Sequence, residues 1–383
     1  MILTILIFIV ILGILVFVHE FGHFIVAKKS GMVVEEFGFG FPPRLAGIQK
    51  IDGKWRWVWV RRKSVVDPSA PVNQQLTDPG SNTIYSINAI PLGGFVRILG
   101  ENNESQDHPG SFINKGFWPR LLTLVAGVCM NWLLAAVIFS VVAAIGVNSE
   151  ITPDLPANAV ISNRQVAIAD VLPNSPAANA GLLSQDLIVN IDGKRFETSE
   201  QAKNYIIFNQ GKEFKFEIKR INDIKDFTIQ SLAHPGPDQG PTGIEITDIA
   251  TVRLPWGSAI AQGFSEAYQL IGQIFYQLGS LFHSRQALSQ VGGPVAIGKL
   301  VGQVRQLGIV PLLRLIAFLS LSLAALNILP FPALDGGRVL FLLIEKIRRK
   351  RNNQKVEQIV NTAGFIFLIL LMVVVTINDV IKK

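Results

Sequence analysis

The chain has one cysteine among its 383 residues, so it cannot form an intrachain disulfide, and a structural thiol is the expected role of Cys129. Charged residues are scarce, at 16% of the total, whereas 49% of the residues are hydrophobic. The mean hydropathy is +0.38, above that of a typical soluble domain. These shortages exclude a disulfide-stapled fold and indicate a membrane protein.

Four apolar runs are each long enough to cross a bilayer, which takes about 20 residues. They cover about 2–27, 121–147, 309–329 and 359–377. No basic residue precedes the first run and no small-residue cleavage site follows it. The first run is therefore predicted to be a retained span and not a signal peptide.

The net charge of +7 is concentrated at the ends of these runs, which argues against a nucleic-acid partner and for contact with membrane lipid. The basic clusters are Lys28 with Lys29, Lys115 with Arg120, and 346–351. Alternation through four spans puts all three clusters on one side, which the positive-inside rule makes cytoplasmic. Both termini, and the segment between the second and third spans, are then predicted to be extracytoplasmic.

The first run ends in the string His19-Glu20-Phe21-Gly22-His23. Two histidines four residues apart on a helix project from one face and can bind one metal ion, while the glutamate beside the first can act as a general base. Ionisable side chains in a span are costly and therefore indicate a functional site. The alternative is a chance match at a helix end near the interface.

A catalytic zinc usually has three protein ligands and one position open to water. Three other histidines lie in polar segments predicted outside the bilayer: His108, His234 and His283. Asp335 is the better third ligand, because it ends an apolar span that is broken by Pro330 and Pro332. The prolines disfavour helical geometry, so the aspartate is predicted to lie on irregular backbone facing the interior of the bundle. A helix-capping aspartate is the alternative.

Two stretches between the first two spans, 37–43 and 85–96, mix aromatic residues with glycine and proline. They suit strands and turns at membrane depth, where protein or a wet cavity must satisfy the backbone. Between them, Trp55, Trp57 and Trp59 alternate on one face of a predicted strand. Insertion of these indoles into the headgroup layer and an ordinary half-buried hairpin are both open interpretations.

The segment between the second and third spans is predicted to contain a soluble domain at about 167–232. Its stretch from Ser175 to Leu182, followed by an alternating strand that ends at Asp192-Gly193, resembles the core of a PDZ domain. A generic β-rich domain is the alternative. Residues 255–284 are predicted to form an amphipathic helix on the outer membrane surface. Its apolar stripe comprises Ile260, Phe264, Tyr268, Ile271, Ile274, Phe275 and Leu278.

Together, the string at 19–23 and the Pro330-x-Pro332-x-Leu334-Asp335-Gly336 motif after Asn327 resemble the site-2 protease family of intramembrane zinc metalloproteases. The likeness is greatest to the bacterial branch that carries PDZ modules, and it covers nearly the whole chain. Further matching stretches are 37–41, 90–95, Ala126-Gly127 with Asn131, Gly292-Gly293-Pro294 and Asn361-x-x-Gly364-Phe365. The chain departs from the family at three places. Val128 stands where proline is usual, Gln185 stands where glycine is usual, and the insertion at 45–83 is longer than usual.

The resemblance implies a Zn²⁺ enzyme of the bacterial cytoplasmic (inner) membrane whose active site lies near the cytoplasmic side. By resemblance, His19, His23 and Asp335 bind zinc, Glu20 is the base, and Asn327 holds substrate or stabilises the transition state. The implied substrates are single-span membrane proteins, of the anti-sigma-factor class or remnant signal peptides. An upstream site-1-type protease is implied to cut them first.

Two other functions are open. One is a non-enzymatic membrane adaptor that keeps a protease scaffold, which the intact Glu20 and Asp335 argue against. The other is a zinc transporter, which would need a chain of polar residues across the spans.

The expected fold class is a polytopic α-helical membrane protein with four transmembrane helices, a membrane-associated β-hairpin region and one extracytoplasmic PDZ-like α+β domain. The spans with their motifs are expected at 1–28, 118–147 and 309–336, with the fourth span in 337–383 after a cytoplasmic basic segment. The regions between them are the cytoplasmic and membrane-reentrant β region at 29–117, the extracytoplasmic segment at 148–254, and the amphipathic helix with its connection at 255–308.

Overall fold

The computed structural model describes residues 2–51, 53–59, 83–101, 108–151, 155–220, 223–236, 239–280 and 292–381. The chain forms two compact units. Met1–Phe139 and Gly263–Lys383 make up the first unit, and Ser140–Gln262 the second. Most of the predicted insertion at 45–83, the end of the helix predicted at 255–284, and His283 lie outside the described residues.

Four helices are long and apolar enough to span a membrane. Numbered in chain order, they are α1 Ile2–Lys29, α2 Phe117–Ile145, α7 Ile309–Asn327 and α9 Gln354–Ile381. Their most apolar stretches have mean hydropathies of 3.1, 2.4, 2.2 and 2.5. Each of the four predicted apolar runs is thus a helix of the length that a bilayer requires.

A three-stranded sheet follows α1 in the chain. Its strands are β1 Val34–Ile51, β2 Lys54–Trp59 and β3 Ile84–Ile98, in the order β2-β1-β3. Gly38 pairs with both Phe95 and Ser86, so the first half of β1 lies between the two halves of β3. The aromatic stretches at 37–43 and 85–96 therefore form strands of one sheet, as their glycine-broken pattern predicts.

Side chains on this sheet are unevenly exposed. Trp55 and Trp57 of β2 are 58% and 68% exposed, which favours the interfacial interpretation over a half-buried hairpin. Glu36 is buried and accepts a hydrogen bond from Arg44 Nε at 2.8 Å. Burial raises the pKa of Glu36, but the bonded guanidinium of Arg44, together with Ser86 and the charge of Arg97, holds that pKa below its ordinary value.

Glycines bring the sheet into direct contact with α1. A Cβ atom at Gly93 would lie 2.5 Å from Cβ of Val16, and one at Gly94 would lie 2.8 Å from Cα of Phe17. Only the missing side chains allow β3 to run this close to the helix, one turn before the histidines. This approach places a β-strand beside the His-Glu-Phe-Gly-His string.

Three further helices belong wholly or partly to the first unit. They are α5 Trp256–Ser280, α6 Pro294–Gln306 and α8 Asp335–Arg348. From residue 263 onward, α5 packs in one apolar cluster with α2 and α7. Of the predicted stripe, Phe264, Ile271, Ile274 and Leu278 lie in this cluster, whereas Tyr268 is 74% exposed and Phe275 is 40% exposed. The fully buried Ala267 was not part of the predicted stripe, because a close helix contact favours a small residue and the stripe was identified from large ones.

In the part that the structure describes, the second unit contains a six-stranded sheet, two short helices, the end of α2 and the start of α5. Its strands are β4 Val147–Glu150, β5 Val160–Val171, β6 Leu187–Ile191, β7 Glu213–Arg220, β8 Asp223–Gln230 and β9 Ile244–Arg253, in the order β4-β9-β5-β6-β7-β8. The helices are α3 Pro176–Ala180 and α4 Ser199–Phe208. The core includes the fully buried Phe216 and Ile191.

The turns of this unit match the sequence pattern, but its limits do not match 167–232. Gly181 ends α3 with a left-handed φ of 88°, and Asp192-Gly193 follow β6 with φ of 53° and 76°. The sheet extends from β4 to β9, because β9 pairs along most of β5. A sequence pattern of short strands carries no signal for such long-range pairing, and β9 therefore fell outside the predicted domain.

Candidate metal centre

Helix α1 presents His19 and His23 from one face, four residues apart, and both are buried, at 6% and 7% exposure. The glycine between them allows α2 to cross at this point. A Cβ atom at Gly22 would lie 2.5 Å from the carbonyl oxygen of Ala126. Small residues at a helix crossing let the two backbones meet, and here the crossing brings α2 against both imidazoles.

Asp335 completes a three-residue cluster with these histidines. Its Oδ2 atom lies 3.0 Å from Nε2 of His19 and 3.3 Å from Nε2 of His23, and the two Nε2 atoms are 3.2 Å apart. Among the described residues, this trio is the group of histidine, cysteine and acidic side chains whose donor atoms converge closely enough to hold a metal ion.

The spacing of these donor atoms fits zinc. Zinc binds imidazole nitrogen and carboxylate oxygen at about 2.0–2.2 Å, so tetrahedral ligands lie about 3.3–3.5 Å from one another. The three observed separations of 3.0–3.3 Å are close to that range. Nδ1 of His23 lies 2.7 Å from the carbonyl oxygen of Thr123, which can only accept, so Nδ1 carries a proton and, in the neutral imidazole that binds metal, Nε2 has a free lone pair. Such lone pairs repel one another unless a cation lies between them.

Helix α2 supplies the groups that orient both imidazoles. Besides the Thr123 carbonyl, Nδ2 of the Asn131 side-chain amide lies 3.2 Å from Nδ1 of His19. An imidazole that binds metal through Nε2 carries its proton on Nδ1, and Asn131 accepts that proton when its amide is turned so that Oδ1, which is buried without a hydrogen-bond partner, faces the ring. Asn131 is fully buried, and its backbone carbonyl accepts a hydrogen bond from Ser320 Oγ of α7 at 2.8 Å.

Gly127 leaves the space that the imidazoles occupy. A Cβ atom there would lie 2.5 Å from Nε2 of His23 and 2.8 Å from Nε2 of His19. Any side chain at this position would therefore press on the metal-binding nitrogens themselves. The two residues of the Ala126-Gly127 motif therefore have different roles. Ala126 contacts α1 where the helices cross, and Gly127 leaves room for the two imidazoles.

Asp335 is the first residue of α8, which corrects the prediction that it lies on irregular backbone. The irregular segment is 328–334, and it folds tightly against the start of α8. A Cβ atom at Gly336 would overlap the carbonyl oxygen of Ile328, and one at Gly337 would overlap that of Phe331. Both glycines are therefore needed for the segment to fold back against α8.

The segment 328–334 is held from α9. Ala333 adopts a left-handed φ of 72°, and its N–H donates to Oδ1 of Asn361 at 3.2 Å. A Cβ atom at Gly364 would lie 2.5 Å from Cβ of Pro332, so this glycine lets α9 pack directly on the segment. The Asn361-x-x-Gly364 motif therefore supports the loop that delivers Asp335.

Glu20 lies beside the histidines on α1 and is half-buried. Strand β3 contacts it, since a Cβ atom at Gly94 would lie 3.0 Å from Cβ and 3.1 Å from Cγ of Glu20. A carboxylate here is therefore next to both the cluster and the strand. Asn327 is half-buried at the last residue of α7, and no hydrogen bond or ion pair joins it to the cluster in the described part of the chain.

The structure therefore brings together His19, His23 and Asp335 and leaves His108 and His234 outside the cluster. Sequence reasoning did not assign Thr123, Gly127 or Asn131 to the site, although the last two belong to a matched motif. Thr123 acts through its backbone carbonyl, for which a sequence carries no signal.

The chain is similar to known proteins over nearly its whole length. The sequence profile of peptidase family M50 matches residues 7–69 and 72–371. A Clostridium perfringens protein named as a zinc metalloprotease is 35% identical, over 96% of this chain and 95% of the relative. The regulator of sigma-W protease RasP of Bacillus subtilis is 26% identical, over 98% of each chain. The PDZ domain of an SdrC-like protein from Listeria monocytogenes is 27% identical, over 23% of this chain and 92% of that one, with a TM-score of 0.20.

The family match covers both parts of the cluster, the helix with His19 and His23 and the helix that begins at Asp335. The four apolar helices agree with a multi-pass protein of the inner membrane. The chain belongs to peptidase family M50, the site-2 protease family, and is a zinc metalloprotease.

Proposed function

We propose that the chain cleaves single-span membrane proteins within the membrane, with zinc held by His19, His23 and Asp335. The observation that carries this proposal is the convergence of two imidazole nitrogens and one carboxylate oxygen at 3.0–3.3 Å on apolar helices. Three protein ligands leave one position for water, as catalytic zinc requires.

Zinc bound at this position supplies Lewis-acid polarisation of a peptide carbonyl and lowers the pKa of a water molecule. Glu20 then accepts the proton of the attacking water and returns it to the leaving amine. The Thr123 carbonyl keeps the proton of His23 on Nδ1, and Oδ1 of Asn131, with its amide turned toward the ring, does the same for His19. We assign Asn327, the last residue of α7, to substrate binding or transition-state stabilisation, as the resemblance to the site-2 protease family implies.

Strand β3 is proposed to present the substrate. A helix in lipid hides its peptide bonds, so it must be unwound before cleavage, and its freed N–H and C=O groups need new partners. A neighbouring strand can supply them by β-augmentation. The contact of Gly94 with Glu20 supports β3 in this role, since a segment paired there would lie beside the base.

The proposed substrate class is supported by the name of a relative. The Bacillus subtilis relative is named for regulation of sigma-W, which supports membrane-bound anti-sigma factors as substrates, with remnant signal peptides as a second kind. We propose that an upstream site-1-type protease first shortens the extracytoplasmic part. The positive-inside rule puts the active site near the cytoplasmic side, and both termini outside.

The second unit is proposed to be an extracytoplasmic PDZ-like gate. Its left-handed Gly181 cap, the β6 strand and the Asp192-Gly193 turn support the PDZ assignment. PDZ domains capture extended chain ends by strand addition. A domain on the outer side can exclude a substrate with a bulky outer portion, or bind the new C-terminus of a trimmed one.

Cleavage by purified protein in liposomes tests the proposal. A generic single-span reporter is incubated with the wild type and with the Glu20→Gln and Asp335→Ala variants, and zinc is measured in each. We expect Glu20→Gln to keep about one zinc per chain and lose turnover, since its carboxamide cannot accept the proton. Asp335→Ala should lose both. Full zinc content in Asp335→Ala would show that the third ligand is another residue. Cleavage by Glu20→Gln would show that Glu20 is not the general base.

A further inference from the structure

An ion pair lies one helical turn beyond Asp335. Arg338 Nη1 bonds to Oε1 of Glu101, which lies just beyond the end of β3. The Arg338 side chain is 33% exposed and that of Glu101 21%, so the pair is partly shielded from water. Charge-assisted bonds of this kind are stronger and more directional than exposed ion pairs.

The Glu101 end of this pair is firmly anchored. The N–H of Glu101 donates to the Ile98 carbonyl at 3.2 Å. The N–H of Leu99 donates to Val33 at 2.9 Å, and the Leu99 carbonyl accepts from Phe112 at 2.8 Å. These bonds fix the end of β3 to the chain on both sides, so Glu101 is a rigid point of attachment.

The Arg338 end is close to the metal ligand. Arg338 is three residues after Asp335, which is about 4.5 Å along the helix axis. Farther along α8, Leu342 packs in an apolar cluster with Ile98, and Glu345 pairs with Arg120 of α2 at 2.8 Å. Glu345 is ten residues from Asp335, or about 15 Å, and therefore has much less control over the position of the carboxylate.

We propose that Glu101 and Arg338 are positioning residues that couple strand β3 to the zinc ligand Asp335. Strand β3 contacts α1 at Glu20, and the ion pair ties the end of that strand to α8. The base, the substrate-presenting strand and the third ligand then form one connected frame. This inference rests on the proposed ligand set and on the proposed role of β3.

The test compares the Glu101–Arg338 pair with a second ion pair of the same helix, in which Glu345 of α8 pairs with Arg120 of α2. Arg338→Ala, Glu101→Ala, Arg120→Ala and Glu345→Ala are purified in detergent as full chains. Zinc retention is measured by competition with a chelator, and kcat and KM are measured with a trimmed single-span reporter. A 1 Å misplacement of a catalytic group can cost about 100-fold, so we expect kcat to fall about 10- to 100-fold in the Arg338 and Glu101 variants. Their zinc retention should fall about tenfold, whereas the Arg120 and Glu345 variants should retain wild-type values.

Charge exchange distinguishes the pair from two separate structural effects. Arg338→Glu alone should be more damaging than Arg338→Ala, because it faces Glu101 across the same gap. Adding Glu101→Arg should restore zinc retention and most of kcat. Unchanged zinc retention and kcat in Arg338→Ala, equal losses in Arg120→Ala, or no rescue by exchange would each overturn the inference. If Asp335→Ala keeps its zinc, the proposed ligand set fails instead; if it loses zinc while Arg338→Ala does not, only the coupling fails.

Discussion

Nδ1 of His23 donates a hydrogen bond to the carbonyl oxygen of Thr123 on the neighbouring helix, over 2.7 Å. This bond fixes which nitrogen of the imidazole faces Asp335. Helix α2 therefore packs against the metal centre, although it supplies none of the three ligands. The α2 residues at the site lie on one face of the helix, at spacings of four residues: Thr123, Gly127 and Asn131.

Gly127→Ala should expel or distort the metal. The new methyl group would lie 2.5 Å from Nε2 of His23, closer than van der Waals contact permits, and the obstacle is a ligand that cannot retreat without leaving the metal. We expect at least about a tenfold loss of zinc affinity, measured by chelator competition on the purified full chain.

Gly272→Ala is the matched control for that substitution. Gly272 is in α5, and a Cβ atom there would meet nothing within 4 Å. This variant should keep wild-type zinc affinity and cleavage. Wild-type zinc affinity in Gly127→Ala would mean that the imidazoles do not occupy the observed positions in the loaded enzyme.

Asn131→Leu should weaken zinc binding while leaving the ligands in place. Loss of an outer hydrogen-bond partner typically costs about 10- to 100-fold in metal affinity. The control is Ser320→Ala, which removes the 2.8 Å bond to the backbone carbonyl of the same asparagine but leaves its side chain unchanged. Zinc affinity should fall in Asn131→Leu alone, and a similar fall in Ser320→Ala would assign the effect to helix packing.

The sequence was most informative where chemistry demands particular residue types at particular spacings. Histidines four apart with an adjacent glutamate, in a run too apolar to tolerate them without purpose, predicted the cluster on α1. Asp335 was found by the same reasoning, since the prolines before it mark a break in an apolar span. Its local geometry was predicted less well, because Gly336 and Gly337 let a new helix begin at the aspartate itself.

Ala333→Val tests how tightly the segment before Asp335 is held. Ala333 has a φ of 72°, where a β-branched side chain is a clear outlier, at a cost of about 1–3 kcal/mol. We expect Ala333→Val to lower the thermal stability of the zinc-free protein, and with it the zinc content. Ala333→Gly is the control, which should be at least as stable as the wild type because glycine adopts this φ freely. Equal melting temperatures for the valine and glycine variants would mean that the segment relaxes.

Contacts between distant parts of the chain could not be predicted from the sequence. The pairing of β9 with β5 and the ion pair of Glu101 with Arg338 join residues dozens to hundreds of positions apart. Such contacts depend on where whole elements pack, whereas hydrophobic periodicity reports only which face of one element is apolar. The α5 stripe shows the same limit, because the fully buried Ala267 is too small to stand out in an apolar pattern.

Removal of the second unit tests the proposed gate. Val147 of β4 pairs with Val252 of β9, and paired residues in antiparallel strands lie about 5 Å apart. A short Gly-Ser linker in place of 148–251 therefore closes the chain without strain, whereas a deletion of 167–232 would cut β5 after Val166 and remove the partners of residues 244–247 of β9. The truncated chain should keep its zinc and cleave full-length and trimmed single-span substrates at similar rates, while the wild type should prefer the trimmed form. Asp335→Ala in the truncated chain controls for contaminating proteases. A zinc-loaded truncated enzyme that still rejects the full-length substrate would place the gate in the first unit, with α5 as the first segment to examine.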